Sequence, residues 1–155
     1  MELVDSTRYR LGDVDRAIAA FQAELGGDAV VTDPEHLKAA RDPYTYVESD
    51  QFDPSAMVMP SSTEEVQAVV RIANEHGTPL WMWSQGKNVT YGGPAPRVKG
   101  SVVVNLSRMN RVLEVNEDLA YAVVEPGVRW FDLYDALEAA GGRCWTAIPD
   151  LGWGS

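Results

Sequence analysis

The sequence predicts an α+β domain, and three observations carry that expectation. Several segments repeat apolar residues with a helical period. Short β-branched and aromatic runs are punctuated by glycine and proline, and one strand–helix–strand unit has the spacing of a crossover between parallel strands. Of the 155 residues, 45% are hydrophobic and 23% charged, the balance of a globular chain. That length holds one ordinary domain core.

Asp13 is placed to cap a helix whose apolar face is Val14, Ala17, Ile18, Phe21 and Leu25, ended by Gly26-Gly27. Ala29 to Thr32 form a short β-branched run. Asp33-Pro34 then opens a second short helix, because proline at the first helical position loses no hydrogen bond. Arg41 to Pro54 is polar and without period, and reads as a long loop. Ala56 to Met59 is a candidate buried strand, followed by a capping box of Ser62 and Glu65. The helix it opens presents Val66, Val69, Val70 and Ala73 on one face and stops at Gly77. Leu80 to Trp83 is the next strand, which suits a right-handed crossover. Ser101 to Leu106 reads as a further strand. Val112–Val115 and Tyr121–Val124 read as a hairpin around Asn116-Glu117-Asp118. The last helix, Trp130 to Ala140, should bury Trp130, Leu133, Tyr134 and Leu137 before Gly141-Gly142 breaks it. The glycine-rich tail Pro149 to Ser155 has no terminal element to tie it down, so the domain is expected to continue beyond it.

Charge excludes some functions. Acidic residues outnumber basic ones 23 to 13, which argues against non-specific nucleic-acid binding and against docking on an anionic membrane. No run approaches the ~18–20 apolar residues of a membrane span. Met1 to Asp5 is acidic and unlike a signal peptide, so a cytoplasmic location is the default expectation. Cys144 is the one cysteine, which rules out an internal disulfide or a cysteine-based zinc site and leaves it as a small buried filler. His36 and His76 sit on expected helices among charged neighbours and read as solvated surface, so no metal site is expected. The five tryptophans are dispersed, as core and pocket wall would have them.

Between Ser84 and Gly100 the composition changes to four glycines, two prolines and three cationic side chains. Ser84-Gln85-Gly86-Lys87-Asn88 directly follows a hydrophobic strand. Consecutive amides in a tight turn can converge on an anion, and Gly86 would let the backbone approach a ligand closely. Ser84 and Asn88 add side-chain donors and Lys87 a positive charge, a set suited to a pyrophosphate. A glycine-rich turn with a solvated lysine fits the same spacing. Neither G-x-G-x-x-G after a strand nor G-x-x-x-x-G-K-[ST] is present.

Four ordered blocks resemble the vanillyl-alcohol oxidase and p-cresol methylhydroxylase flavoprotein family, with the eugenol and vanillyl-alcohol oxidases as the nearest branch. They are Ser84 to Arg97, Arg108-Met109-Asn110-Arg111-Val112-Leu113-Glu114-Val115, Val124-Glu125-Pro126-Gly127-Val128, and Pro149-Asp150-Leu151-Gly152-Trp153-Gly154-Ser155. The resemblance implies a PCMH-type FAD-binding domain, its N-terminal portion, over residues 41–155, preceded by a helical lead-in at 1–40. It implies that Ser84, Gln85, Gly86, Lys87 and Asn88 hold the FAD pyrophosphate by backbone amides. Pro149, Asp150, Gly154 and Ser155 would also approach the cofactor. Tyr91 would hydrogen-bond a phenolic oxygen and favour the phenolate. Asp150 would lie beside the reactive edge of the flavin, stabilising an electron-poor benzylic centre or acting as a base. Without the family, Tyr91 reads as a packed loop tyrosine and Pro149-Asp150 as the start of a turn. Two departures stand out: Thr90 where family members carry glycine, and Pro94 where they carry alanine. Trp153 is bulky in an otherwise small stretch, and shapes a pocket or simply packs.

The implied reaction of the intact enzyme is oxidation of para-substituted phenols, by hydride transfer from the benzylic carbon to FAD, followed by addition of water or rearrangement. Its partners would be a small phenolic substrate and either oxygen or a cytochrome as acceptor, and the family allows a homodimer. Two alternatives remain beside it. One is a non-catalytic FAD-binding fragment. The other is an FAD oxidase of the same superfamily acting on a sugar, lactone or hydroxy acid.

Overall fold

A computed structural model describes residues 12–40, 53–86 and 94–147. The first helix, α1, runs Val14–Leu25, with the Asp13 carboxylate accepting from the Arg16 amide at 3.1 Å. A single 3-10 turn leads into β1, Val30–Val31. Pro34–Leu37 form α2, capped by Asp33 as its Asp-Pro start requires. Then come β2 (Ala56–Val58), α3 (Thr63–His76), β3 (Leu80–Trp83) and β4 (Val102–Asn105). The hairpin β5 (Val112–Asn116) and β6 (Tyr121–Val124) precedes α4 (Trp130–Ala140). Among the described residues no helix is long and apolar enough to cross a membrane.

The main sheet has the order β1-β2-β4-β3, with β2 and β3 each parallel to β4 and β1 antiparallel to β2. The expected crossover therefore joins parallel strands that are not neighbours, because β4 inserts between them. Strands β2 and β4 are apolar without alternation, since helices and turns cover both faces. One face packs Val58, Val102 and Val104 against Ala17 and Phe21 of α1 and Val69, Ile72 and Ala73 of α3. The other packs Met57, Val103 and Trp83 against Leu37 and Ala40. Successive residues of one strand thus serve two cores.

Several expectations need correction. On α3 the buried arc is Ala68, Val69, Ile72 and Ala73, while Val70 is 43% exposed. The arc is rotated because α1 lies across the helix and claims Ile72 and Ala73. Glu65 reaches back to the Ser61 amide at 2.7 Å, one residue before the expected partner, while Ser62 accepts from Glu65 as foreseen. Among the described residues β3 is the last strand of the sheet, and its Met82 is 62% exposed. On α4, Leu133 and Leu137 are buried, but Tyr134 is exposed, since only one side of the helix meets the hairpin. Cys144 is half-buried, not buried, at the rim of that smaller core.

Candidate functional site

In sheets with parallel strands, ligands bind beyond the carboxyl ends of the strands, where loops diverge. Ser84-Gln85-Gly86 leaves the carboxyl end of β3 at such a place. Gly86 has φ +67°, in the left-handed region that favours glycine. A Cβ built there would meet the Trp83 indole at 3.3 Å. The glycine is thus required by its own backbone angle and by the ring beneath it, reasons separate from the ligand approach that its sequence suggests.

The side chains beside it do something the sequence did not suggest. The Ser84 hydroxyl donates to the Pro126 carbonyl, and Gln85 Nε2 donates to the Gly127 carbonyl at 2.6 Å. The serine expected to donate to phosphate donates instead to protein. Both side chains moor the loop to the turn after β6. At the far end of the loop, Pro94, Ala95 and Pro96 are buried, so Pro94 is an anchor. Lys87, Asn88, Thr90 and Tyr91 lie outside the described residues, as do Pro149, Asp150, Trp153, Gly154 and Ser155.

The turn that receives these side chains is itself tightly held. The Gly127 amide donates to the Met109 carbonyl at 2.7 Å, and that turn is closed by Met109 donating to Leu106 at 3.0 Å. A Cβ at Gly127 would stand 2.3 Å from the Leu106 carbonyl oxygen. Two residues before Gly127, Glu125 is only 8% exposed. Its carboxylate accepts from the Arg111 amide at 2.8 Å, from Nε at 3.0 Å and from Nη2 at 2.6 Å. The hairpin register pairs Val112 with Val124, so Arg111 and Glu125 follow as the next cross-strand pair. That register, legible in the expected hairpin, was the signal that could have found them.

The Arg111 guanidinium and amide hold the Glu125 carboxyl below its ordinary value of 4.5. A lowered folded-state value means that the pair stabilises the fold above about pH 4.5, and that this contribution is lost as pH falls through the lowered value. Asp33, Glu117 and Asp132 shift the same way, through His36, Arg143 and Arg129 respectively. The urea midpoint of the protein is therefore expected to fall steadily below about pH 4.5 at constant salt. A midpoint flat from pH 5 to pH 3 would contradict these pairs.

A separate apolar groove of about 480 Å³ lies between the hairpin and α4, lined by Tyr121, Ala122, Trp130, Leu133, Cys144 and Trp145. Arg143 also lines it, paired with Glu117 at 3.0 Å and Asp118 at 3.0 Å. Of the expected site residues that the structure describes, Ser84, Gln85 and Gly86, none lines it.

Comparison with known proteins identifies the family. The family described as "FAD binding domain" matches residues 54–153. The structure is similar to 4-ethylphenol oxidase from Gulosibacter chungangensis, with TM-score 0.86 and 44% identity over 91% of this chain and 27% of that one. In sequence it is 42% identical to 1'-carboxy-chondrochloren decarboxylase of Chondromyces crocatus, over 87% of this chain and 24% of the relative. It is 37% identical to the flavoprotein subunit of 4-cresol dehydrogenase (hydroxylating) of Pseudomonas putida, over 82% of this chain and 24% of that subunit. The chain spans about a quarter of the length of these curated relatives. It belongs to the FAD-binding oxidoreductases of the vanillyl-alcohol oxidase and p-cresol methylhydroxylase type, it has their PCMH-type fold, and its cofactor is FAD.

Proposed function

We propose that the intact protein oxidises para-substituted phenols at the benzylic carbon. The observation that carries this reading is the likeness to a 4-ethylphenol oxidase, a protein named for a 4-alkylphenol. FAD, when bound, accepts the hydride released from that carbon. Ser84, Gln85, Gly86, Lys87 and Asn88 would hold its diphosphate by main-chain amides, and Pro149, Asp150, Gly154 and Ser155 would also approach the cofactor. Tyr91 donates a hydrogen bond to the phenolate oxygen, which keeps the substrate in its electron-rich form. Asp150 stabilises the electron-poor benzylic carbon and receives a proton from attacking water. Residues 41–155 supply these contacts, and residues 1–40 are the lead-in that brings α1 onto the main core. The likeness to a 4-cresol dehydrogenase flavoprotein subunit also supports a cytochrome as electron acceptor.

The test uses the full-length protein with FAD. Anaerobic addition of 4-ethylphenol or vanillyl alcohol should bleach the flavin absorbance. Tyr91→Phe should lower kcat/KM for phenols by roughly 10–100-fold, the effect of removing one hydrogen bond to a charged group. A flavin that stays oxidised with every phenol, or a Tyr91→Phe protein of unchanged kcat/KM, would sink the reading. A second reading is favoured by the 42% identity to a decarboxylase: the same site removes a carboxyl group from a phenolic substrate. Release of carbon dioxide from a carboxylated phenol, at a rate exceeding 4-ethylphenol turnover, would select it.

A further inference from the structure

We infer that Glu125 is a positioning residue for the FAD diphosphate loop, acting through the Pro126–Gly127 carbonyls that moor Ser84 and Gln85. The inference rests on the reading that Ser84 to Gly86 face the diphosphate. The chain of contacts is continuous. Arg111 grips the buried Glu125 carboxylate through three donors, and the Glu125 amide in turn donates to the Arg111 carbonyl at 2.9 Å. This doubly fixed residue immediately precedes the two carbonyls that receive the loop. Gly127 is pressed onto the Leu106–Met109 turn, so the receiving peptide has no freedom on its other side.

The physical consequence is preorganisation. A loop that presents main-chain donors gains affinity by being held in its bound shape before the ligand arrives. Its own Ser84 and Gln85 side chains supply the mooring, which leaves ligand recognition to the main chain. Glu125 sets where the mooring points stand. Arg111 is 71% exposed and can be rehydrated, so neutralising Glu125 should loosen the turn without stranding a buried cation.

The experiment measures FAD affinity of the full-length apoprotein by quenching of flavin fluorescence. Glu125→Gln and Gln85→Met are each expected to weaken FAD binding roughly tenfold, the scale of one lost charge-assisted or well-placed hydrogen bond. Because both act through one mooring, the double variant should lose little more than either single one. Arg111→Lys, which keeps a cation beside the buried carboxylate but not the two-nitrogen grip, gives the same comparison if Glu125→Gln folds poorly. Losses that simply add, or a Glu125→Gln protein with native FAD affinity beside a weakened Gln85→Met protein, would overturn the positioning role alone. A Gln85→Met protein with native affinity would instead overturn the assignment of the loop to the diphosphate. Turnover of phenols does not enter this test, so its outcome is independent of the substrate.

Discussion

Alanine at Gly127 is expected to lower the stability of the full-length protein by about 3 kcal/mol and to abolish tight FAD binding. The added carbon would lie 2.3 Å from the Leu106 carbonyl oxygen, 2.8 Å from that of Met109 and 2.9 Å from Ser107 Cα. These are backbone atoms, which cannot rotate out of the way as a side chain could. The two turns must separate, and the 2.7 Å bond from the Gly127 amide to Met109 goes with them. The carbonyl that receives Gln85 is in the displaced peptide, so the cofactor loop moves too. Urea unfolding at unchanged slope measures the first effect, and titration of the apoprotein with FAD measures the second. Native values for both would show that the turn yields more easily than its packing indicates.

Phe21→Ala should cost about 3–5 kcal/mol and leave the cofactor site intact. Phe21 is fully buried among Val30, Val58, Val69, Ile72 and Val104, between α1 and one face of the main sheet. Trp83, which lies under Gly86, belongs to the cluster on the opposite face. The variant therefore separates stability from binding. Its urea midpoint should fall by the full amount, while FAD affinity measured well below that midpoint stays within about twofold of the parent. A comparable loss in both quantities would mean that the two faces are coupled through the sheet.

Much of the fold was legible because local signals agreed with their surroundings. Asp13, Asp33 and Ser62 cap the helices they should, and the apolar run at 56–58 and the valine run at 102–104 became the two strands covered on both faces. The phase of α3 was misjudged because periodicity states that a helix has an apolar side, while the neighbour decides where its centre falls; α1 drew in Ile72 and left Val70 outside. The place of β4 between β2 and β3 was not legible at all, since strand order depends on long-range pairing. At the loop, the tight turn at Gly86 could be read from residue types. The mooring of Ser84 and Gln85 could not, because their acceptors are backbone carbonyls 42 residues away, and a carbonyl leaves no mark on sequence. Glu125 and Arg111 were readable in principle, as opposite charges one step beyond a hairpin pair.

Cys144 gives the groove beside α4 an experimental handle. It is the one cysteine of these 155 residues and it sits in the groove wall, so a polarity-sensitive dye attached to it through sulfur would report on that location. Blue-shifted, brightened emission would register arrival of any apolar occupant, and slower labelling would register a covered thiol. Neither signal passes through the flavin, which makes the groove and the cofactor loop separately observable in one sample.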